Sequence, residues 1–125
     1  MLGNKESIAT VAVKDLDKAT RFYEDALGLK RVGTEGSEAV VYKTGGSTLL
    51  VYRSQFAGTN KATAATWNVG PDIAQVVNVL KAKGVSFEHY DMPGTKLEGD
   101  VHVMGHMKNA WFKDPDGNIH ALTSQ

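Results

Sequence analysis

The feature that most constrains the fold is an internal repeat, because the second half of the chain follows the same order of patterns as the first. A shift of 57 residues places Asp15 and Leu16 on Asp72 and Ile73, each pair at the start of a helical pattern. Strand-like patterns precede and follow the helical pattern in both halves. Repeated units of this kind pack against each other to complete one core, so the sequence predicts two copies of a βαβββ unit.

The length and composition fit a single folded domain. At 125 residues, with 42% hydrophobic residues, the chain can bury one real core but not two independent ones. We therefore predict one α+β domain over residues 1–125. Module 1 is expected at about 7–53, a polar linker at 54–63 and module 2 at about 64–124.

Charge and cysteine content exclude several kinds of partner. Lys and Arg number 14, as do Asp and Glu, and no block of like charge occurs, so neither nucleic acid nor an anionic membrane is an expected partner. The absence of cysteine rules out disulfides and thiolate metal sites. No apolar run approaches the roughly 20 residues of a membrane span, and the first residues lack a secretion-signal pattern, so a cytoplasmic location is expected.

One segment of the second half has no counterpart in the first. Residues 91–108 contain one proline and three glycines, and they are long for a connection in a compact domain. Such loops often carry function, so we predict that residues 91–108 form a lid.

Three motifs, taken in order, resemble the vicinal oxygen chelate superfamily, which includes glyoxalase I, extradiol dioxygenases, fosfomycin-modifying enzymes and bleomycin-resistance proteins. The first is the strand end 13–16, and the second is the helix with Phe22-Tyr23 and the stop at Gly28. The third is the turn at 114–118, of sequence Asp-Pro-Asp-Gly-Asn. The resemblance implies modules that form curled mixed sheets around a cleft, and it implies a homodimer.

The superfamily resemblance also locates four metal-ligand positions. Its metalloenzymes carry a His or Gln seven residues before each helix-starting Asp, which falls on Ile8 and Ala65 here. They carry a Glu or His on the last strand of each module, which falls on Leu50 and Ala121. Aliphatic side chains offer no lone pair to a cation, so we predict that the metal site is lost and that no cofactor is bound.

The cleft is then predicted to bind a small aromatic or apolar molecule. Strand alternation, placed on the implied sheets, gives a lining of apolar and aromatic side chains with a few hydroxyls, which is typical of small-molecule sites. The predicted ligand-binding residues are Thr10, Tyr42, Thr48, Leu50, Tyr52, Trp67, Trp111 and Ala121. His102 and His106 are predicted as further contacts from the loop, and no catalytic residue is predicted.

An enzymatic alternative stays open at this stage. A lyase, isomerase or dioxygenase of the superfamily could use a metal through unusual ligands, for which His102 and His106 are the only candidates. Metal-independent acid–base chemistry by a loop His or a cleft Tyr is the other version. The HExxH zinc motif is not matched, because Val103 stands where that motif needs Glu.

The remaining polar residues have structural interpretations. Asp114 and Asp116 are predicted to build a turn, since Asp-Pro and Asp-Gly are turn formers. Asp15 and Asp72 are predicted to start helices. Alternation places His120 on the helix-facing side of the last strand, where a hydrogen-bonded core histidine is expected.

Overall fold

A computed structural model describes residues 1–124 and shows two helices and ten strands. The strands are β1 (Ala9–Val13), β2 (Lys30–Glu35), β3 (Ala39–Thr44), β4 (Ser47–Arg53), β5 (Thr63–Asn68), β6 (Phe87–Glu88), β7 (Lys96–Glu98), β8 (Val101–Met104), β9 (Met107–Lys113) and β10 (Ile119–Thr123). The helices are α1 (Leu16–Arg21), continued by a π-helical turn (Phe22–Ala26), and α2 (Ile73–Ala82), preceded by a 3₁₀ turn (Gly70–Asp72).

The strands form two open mixed sheets with the same strand order. Sheet A has the order β1-β4-β3-β2, with β1 parallel to β4. Sheet B has the order β5-β10-β9-β8-β7, with β5 parallel to β10, and β6 also pairs with β9. The predicted α+β fold of two βαβββ modules is therefore confirmed, with two short additional strands, β6 and β7, before β8.

Helix α1 begins at Asp15, as the sequence predicts. The Asp15 carboxylate accepts a hydrogen bond of 3.1 Å from the Lys18 backbone N–H, which satisfies one of the free amides of the first turn. The π-helical turn then places Tyr23 fully inside the core of module 1. Asp72 precedes α2, but its side chain makes no capping bond.

Helix α2 covers sheet B with one apolar face. Ile73, Val77 and Leu80 are buried, and their spacing of four and three residues places them on one side of the helix. They share a core cluster with Phe112 and Leu122 of sheet B. Module 2 is thus held together as module 1 is, by a helix against one sheet face.

The two modules share a core on the sides of the sheets that carry the helices. Phe22, Leu27 and Trp67 each pack against the buried clusters of both modules. Strand β1 of sheet A also contacts strand β5 of sheet B. We call the opposite sides, which no helix covers, the open faces of sheet A and sheet B.

Half of the predicted lid at 91–108 is instead strand. Strands β7 and β8 form a hairpin, and β9 begins at Met107, so the segment extends sheet B. Gly99 and Gly105 have positive φ in the turns that join these strands. The sequence pattern failed because short strands joined by two-residue turns that each contain a glycine resemble an irregular loop.

The linker at 54–63 is attached to the turn at 114–118. Ala57 is buried, and a Cβ atom on Gly58 would collide with the carbonyl oxygen of Asp116. Gly58 also has a φ of +78°, which favours glycine. The close approach fixes the path of the chain between the modules.

Within residues 1–124, no helix is long and apolar enough to cross a membrane. The cytoplasmic location and the absence of a nucleic-acid partner stay predictions.

Candidate functional site

The open face of sheet A is apolar with scattered hydroxyls. Val11, Val13, Leu49 and Val51 point into the core of module 1, so strand alternation directs their neighbours to the open face. The residues placed there include Ile8, Thr10, Val41, Leu50 and Tyr52. Thr10 lies beside Leu50 in the parallel ladder, and Leu50 lies opposite Val41. Three of the predicted cleft residues, Thr10, Leu50 and Tyr52, therefore share one face.

The open face of sheet B carries Trp111 and Ala121. Their neighbours Ala110, Phe112 and Leu122 are buried against α2, and Trp111 pairs directly with Ala121 in the antiparallel ladder. The ring of Tyr90 meets Trp111 edge to face, with the centroids 5.4 Å apart. Trp111 and Ala121 thus stand side by side on an aromatic surface of module 2.

Tyr42 lies on the other side of sheet A, so its predicted place in the cleft is wrong. Its side chain is 0% exposed, packs against Tyr23 and donates a 2.8 Å hydrogen bond to the Glu24 carboxylate. Burial and the adjacent Glu24 charge raise the pKa of the Tyr42 hydroxyl. The error was one of parity, because a one-residue shift in a strand exchanges its two faces.

Trp67 also faces the helices and lies between the two modules. Its indole N–H donates a 3.0 Å hydrogen bond to Nδ1 of His120, so the indole is fixed in place. Trp67 and Thr48 both line a cavity of about 450 Å³ at the junction of the modules. Trp67 is therefore separated from the open faces, whereas Thr48 alternates with the core residue Leu49 and also lines a cavity beside Ile8 of the open face.

The four metal-ligand positions are also divided between the open faces and the helix-facing side of the sheets. Ile8, Leu50 and Ala121 belong to the open faces, whereas Ala65 pairs with His120 on the helix-facing side. A bulge between Ile119 and His120 shifts the register, and it is Thr66 that pairs with Ala121. Neither residue supplies the imidazole or carboxylate donor that the metalloenzymes of the resemblance use, so the side chains do not fit a divalent metal ion.

The histidines do not supply the missing metal ligands. His102 lies on β8, where its Nε2 accepts a 2.9 Å hydrogen bond from the Tyr90 backbone N–H. His106 is exposed in the turn between β8 and β9. Among residues 1–124, no group of three or more His, Asp or Glu side chains is placed to hold a metal ion.

His102 nevertheless has an unused donor behind Trp111. Because Nε2 accepts the amide proton of Tyr90, the proton of the neutral imidazole lies on Nδ1. The side chain is only 2% exposed, and Nδ1 has no hydrogen-bond partner in the described part of the chain. The hydroxyl of Tyr90 is likewise buried and unpartnered, and the His102 and Trp111 rings lie 4.9 Å apart.

A buried chain of hydrogen bonds connects the modules and was only partly predicted. The Tyr23 hydroxyl donates to Oδ2 of Asp114 at 2.7 Å and contacts Nε2 of His120 at 2.9 Å. Since the Trp67 N–H is only a donor, Nδ1 of His120 must accept, and the imidazole proton must lie on Nε2 and point to Tyr23. The order of donation runs from Trp67 through His120 and Tyr23 to Asp114.

Burial decides the charge states of His120 and Tyr23 in this chain of hydrogen bonds. Loss of water around His120 holds its pKa at about 4, so the imidazole is neutral at neutral pH. Burial and the Asp114 carboxylate raise the pKa of the Tyr23 hydroxyl far above its ordinary value. The prediction of a hydrogen-bonded core histidine is confirmed, and Asp114 builds the turn as predicted by accepting from the backbone N–H groups of Asp116 and Asn118.

The fold defines a class of proteins built from two βαβββ modules, each with a helix on one side of a mixed sheet. The chain belongs to the glyoxalase/bleomycin resistance protein/dioxygenase superfamily, whose family model matches residues 7–122. The resemblance in the sequence is thus confirmed. A comparison with curated proteins gives no match.

Solved structures of similar fold cover nearly the whole chain. A lactoylglutathione lyase from Agrobacterium tumefaciens has 19% sequence identity and a TM-score of 0.71, covering 96% of this chain and 92% of its own. The fosfomycin resistance protein FosX from Listeria monocytogenes has 17% identity and a TM-score of 0.73, covering 98% and 93%. An integron cassette protein from the Halifax Harbour sewage outfall metagenome has 18% identity and a TM-score of 0.72, covering 98% and 99%. At these identities the likeness shows the fold alone.

Proposed function

We propose that this protein binds a small aromatic or apolar molecule on the open faces of its sheets without a metal ion. The observation that carries the proposal is the side-chain chemistry of the superfamily's ligand positions. Ile8, Leu50 and Ala121 are aliphatic, and neither Ala65 nor Thr66 provides the missing donor. The lyase and resistance activities named for the structural relatives are therefore not transferred to this chain.

The surface around Trp111 is the centre of the proposed site. Trp111 and Tyr90 offer ring faces and edges to an aromatic ligand, which interacts favourably in stacked or edge-to-face geometry. His102 lies directly behind them with its Nδ1–H free. A carbonyl or carboxylate oxygen on the ligand would satisfy this donor, since a buried unpaired polar group costs about 1–3 kcal/mol.

A second copy of the chain is proposed to cover the open face of sheet A. Ile8, Tyr52 and Phe56 are 55%, 38% and 69% exposed, which is unusual for side chains of this size on one surface of a monomer. Leu50 is half-buried at the centre of this face. Burying the patch in a homodimer would remove apolar area from water and would complete the walls of the cleft.

Ligand binding is expected to be independent of metal and dependent on Trp111. In a thermal-shift screen of aromatic antibiotics and aromatic metabolites with excess chelator, a ligand at 100 times its Kd should raise Tm by roughly 10 °C. Trp111→Ala should abolish the shift, because it removes the aromatic contact area. Val79→Ala, on the exposed side of α2, is the matched control and should retain it. Shifts that disappear with chelator, or that survive Trp111→Ala, would contradict the proposal.

The oligomeric state tests the proposed role of sheet A. Light scattering after gel filtration should give a dimer for the unmodified protein and a monomer for Leu50→Lys, because a buried unpaired charge in the interface is strongly unfavourable. Val79→Lys places the same charge on an exposed apolar position of α2 and should stay dimeric. An unmodified protein that is monomeric at all concentrations would exclude the dimer.

A further inference from the structure

A groove runs between the modules from the helix-facing side to the strand ends at the β3–β4 turn. It consists of two adjoining cavities of about 450 and 120 Å³, which share the side chains of Leu29, Trp67 and Val69. We call it the Trp67 groove. The smaller cavity lies on the helix-facing side, whereas the site proposed above is centred on Trp111 on the other side of sheet B.

The inner end of the Trp67 groove is apolar. The smaller cavity is lined by Leu27, Leu29, Trp67, Val69, Val76, Leu80, Phe112 and Leu122. A dry apolar cavity on the order of 150 Å³ binds a benzene molecule, so the volume suits one ring or a branched alkyl group. The walls come from both modules and from α2, so their positions are fixed by the two core clusters.

The outer end of the groove is polar and positively charged. The larger cavity is lined in part by Lys43, Thr44, Ser47, Thr48 and Asn68. Lys43 stands directly opposite Lys30 in the β2–β3 ladder. Like charges in cross-strand positions repel each other. Neither lysine forms an ion pair with any group of residues 1–124, so no acidic side chain there offsets this repulsion. An anion at this end would relieve that repulsion.

Trp67 connects the two ends and is held in place. Its N–H is already bonded to His120, so the indole keeps one orientation without a ligand. Trp67 is half-buried, and it borders both cavities. A ring in the inner cavity would therefore contact an aromatic side chain that loses little further freedom on binding.

We propose that the Trp67 groove is a second binding site, which takes a small organic anion with a single apolar ring or branched chain. The apolar body occupies the inner cavity against Trp67 and Val76. The carboxylate, or another anionic group of similar size, lies at the outer end near Lys43. This site lies apart from Trp111 and Leu50, and of the four metal-ligand positions only Ala65 lies on its wall.

The test uses 3-phenylpropionate and its neutral amide, 3-phenylpropionamide, as paired probes. In Trp111→Phe, Trp67 is the only tryptophan, and its fluorescence should change saturably with 3-phenylpropionate. Lys43→Gln in the same background should weaken binding of the acid roughly three- to tenfold and leave the amide unchanged. Lys61→Gln, an exposed lysine of the linker, is the matched control and should have no effect.

A second variant checks the place of binding. Val76→Phe fills the inner cavity with a ring of its own and should abolish the fluorescence change for both probes. No saturable change in Trp111→Phe, equal effects of Lys43→Gln on acid and amide, or binding that survives Val76→Phe would each overturn the Trp67 groove as the site. These outcomes leave the open-face proposal untouched, because that proposal depends on Trp111 and Leu50.

Discussion

Replacing Asp114 with alanine is expected to lower the free energy of unfolding by about 3–5 kcal/mol. The carboxylate accepts four hydrogen bonds: from the backbone N–H groups of Asp116 and Asn118, from the Asn118 side chain at 2.8 Å, and from the Tyr23 hydroxyl at 2.7 Å. Alanine leaves these donors without an acceptor in a buried environment. Since a domain of this size is stable by about 5–15 kcal/mol, the loss is a large part of the total.

Urea unfolding followed by circular dichroism measures this loss. Asp72→Ala is the matched control, because Asp72 also precedes a structural element but its side chain makes no capping bond, and its effect should stay within about 0.5 kcal/mol. Tyr23→Phe keeps the turn intact and removes only the hydroxyl, so it should cost about 1–3 kcal/mol. If Asp114→Ala were no worse than Asp72→Ala, the buried hydrogen-bond chain would not stabilise the fold.

Acidification from pH 6.5 to pH 4 is expected to cost the protein about 3 kcal/mol of stability through His120 alone. The pKa of His120 is lowered by burial from its ordinary 6.5 to about 4 in the folded state. The unfolded chain therefore binds a proton in this window that the folded chain does not. The stabilisation is complete above pH 6.5 and is lost as the pH falls to about 4.

The contribution of His120 is separated from that of other groups by substitution. His120→Gln should be less stable at pH 7 but should lack most of the loss between pH 6.5 and 4.5, whereas His106→Gln should retain the full loss. Glu24, Glu38 and Asp100, whose pKa values are lowered by neighbouring cations, titrate alike in all three proteins.

Nitrogen-15 NMR of the His120 imidazole gives an independent measurement of its tautomer and protonation on the unmodified protein. The spectrum should show the proton on Nε2 and no titration above about pH 5. An Nδ1-protonated ring, or a pKa near 6.5, would contradict the order of hydrogen bonds from Trp67 to Asp114.

Local sequence patterns predicted much of the fold because the repeat, the start of α1 and the turn at Asp114 are each specified by residues that are neighbours in the chain. The repeat of Asp15-Leu16 at Asp72-Ile73 gave the two modules, and Asp15 caps α1 as expected. The turn at Asp114 was interpreted correctly, since the Asp-Pro and Asp-Gly pairs strongly favour turn conformations. These features depend on residues close together in the chain.

The faces of individual strands were harder to predict. Tyr42 and Trp67 were expected in the cleft, but both point to the helices, because strand parity carries no sign of which face is covered. The bulge beside His120 shifted the register of β5 against β10, so that Thr66 pairs with Ala121, and no glycine or proline in these strands marks it. The bond between Tyr23 and His120 joins residues 97 positions apart, so no local pattern contains it.

The central claim is that this superfamily scaffold has no functional metal site, and metal binding tests it most directly. Untagged protein would be incubated separately with Ni²⁺, Mn²⁺ and Zn²⁺, passed through a desalting column, and measured for metal per chain by plasma mass spectrometry. We predict substoichiometric metal in each case, with no change in Tm, because Ile8, Leu50 and Ala121 and both Ala65 and Thr66 lack the required donors. One tightly held ion per chain would contradict the account.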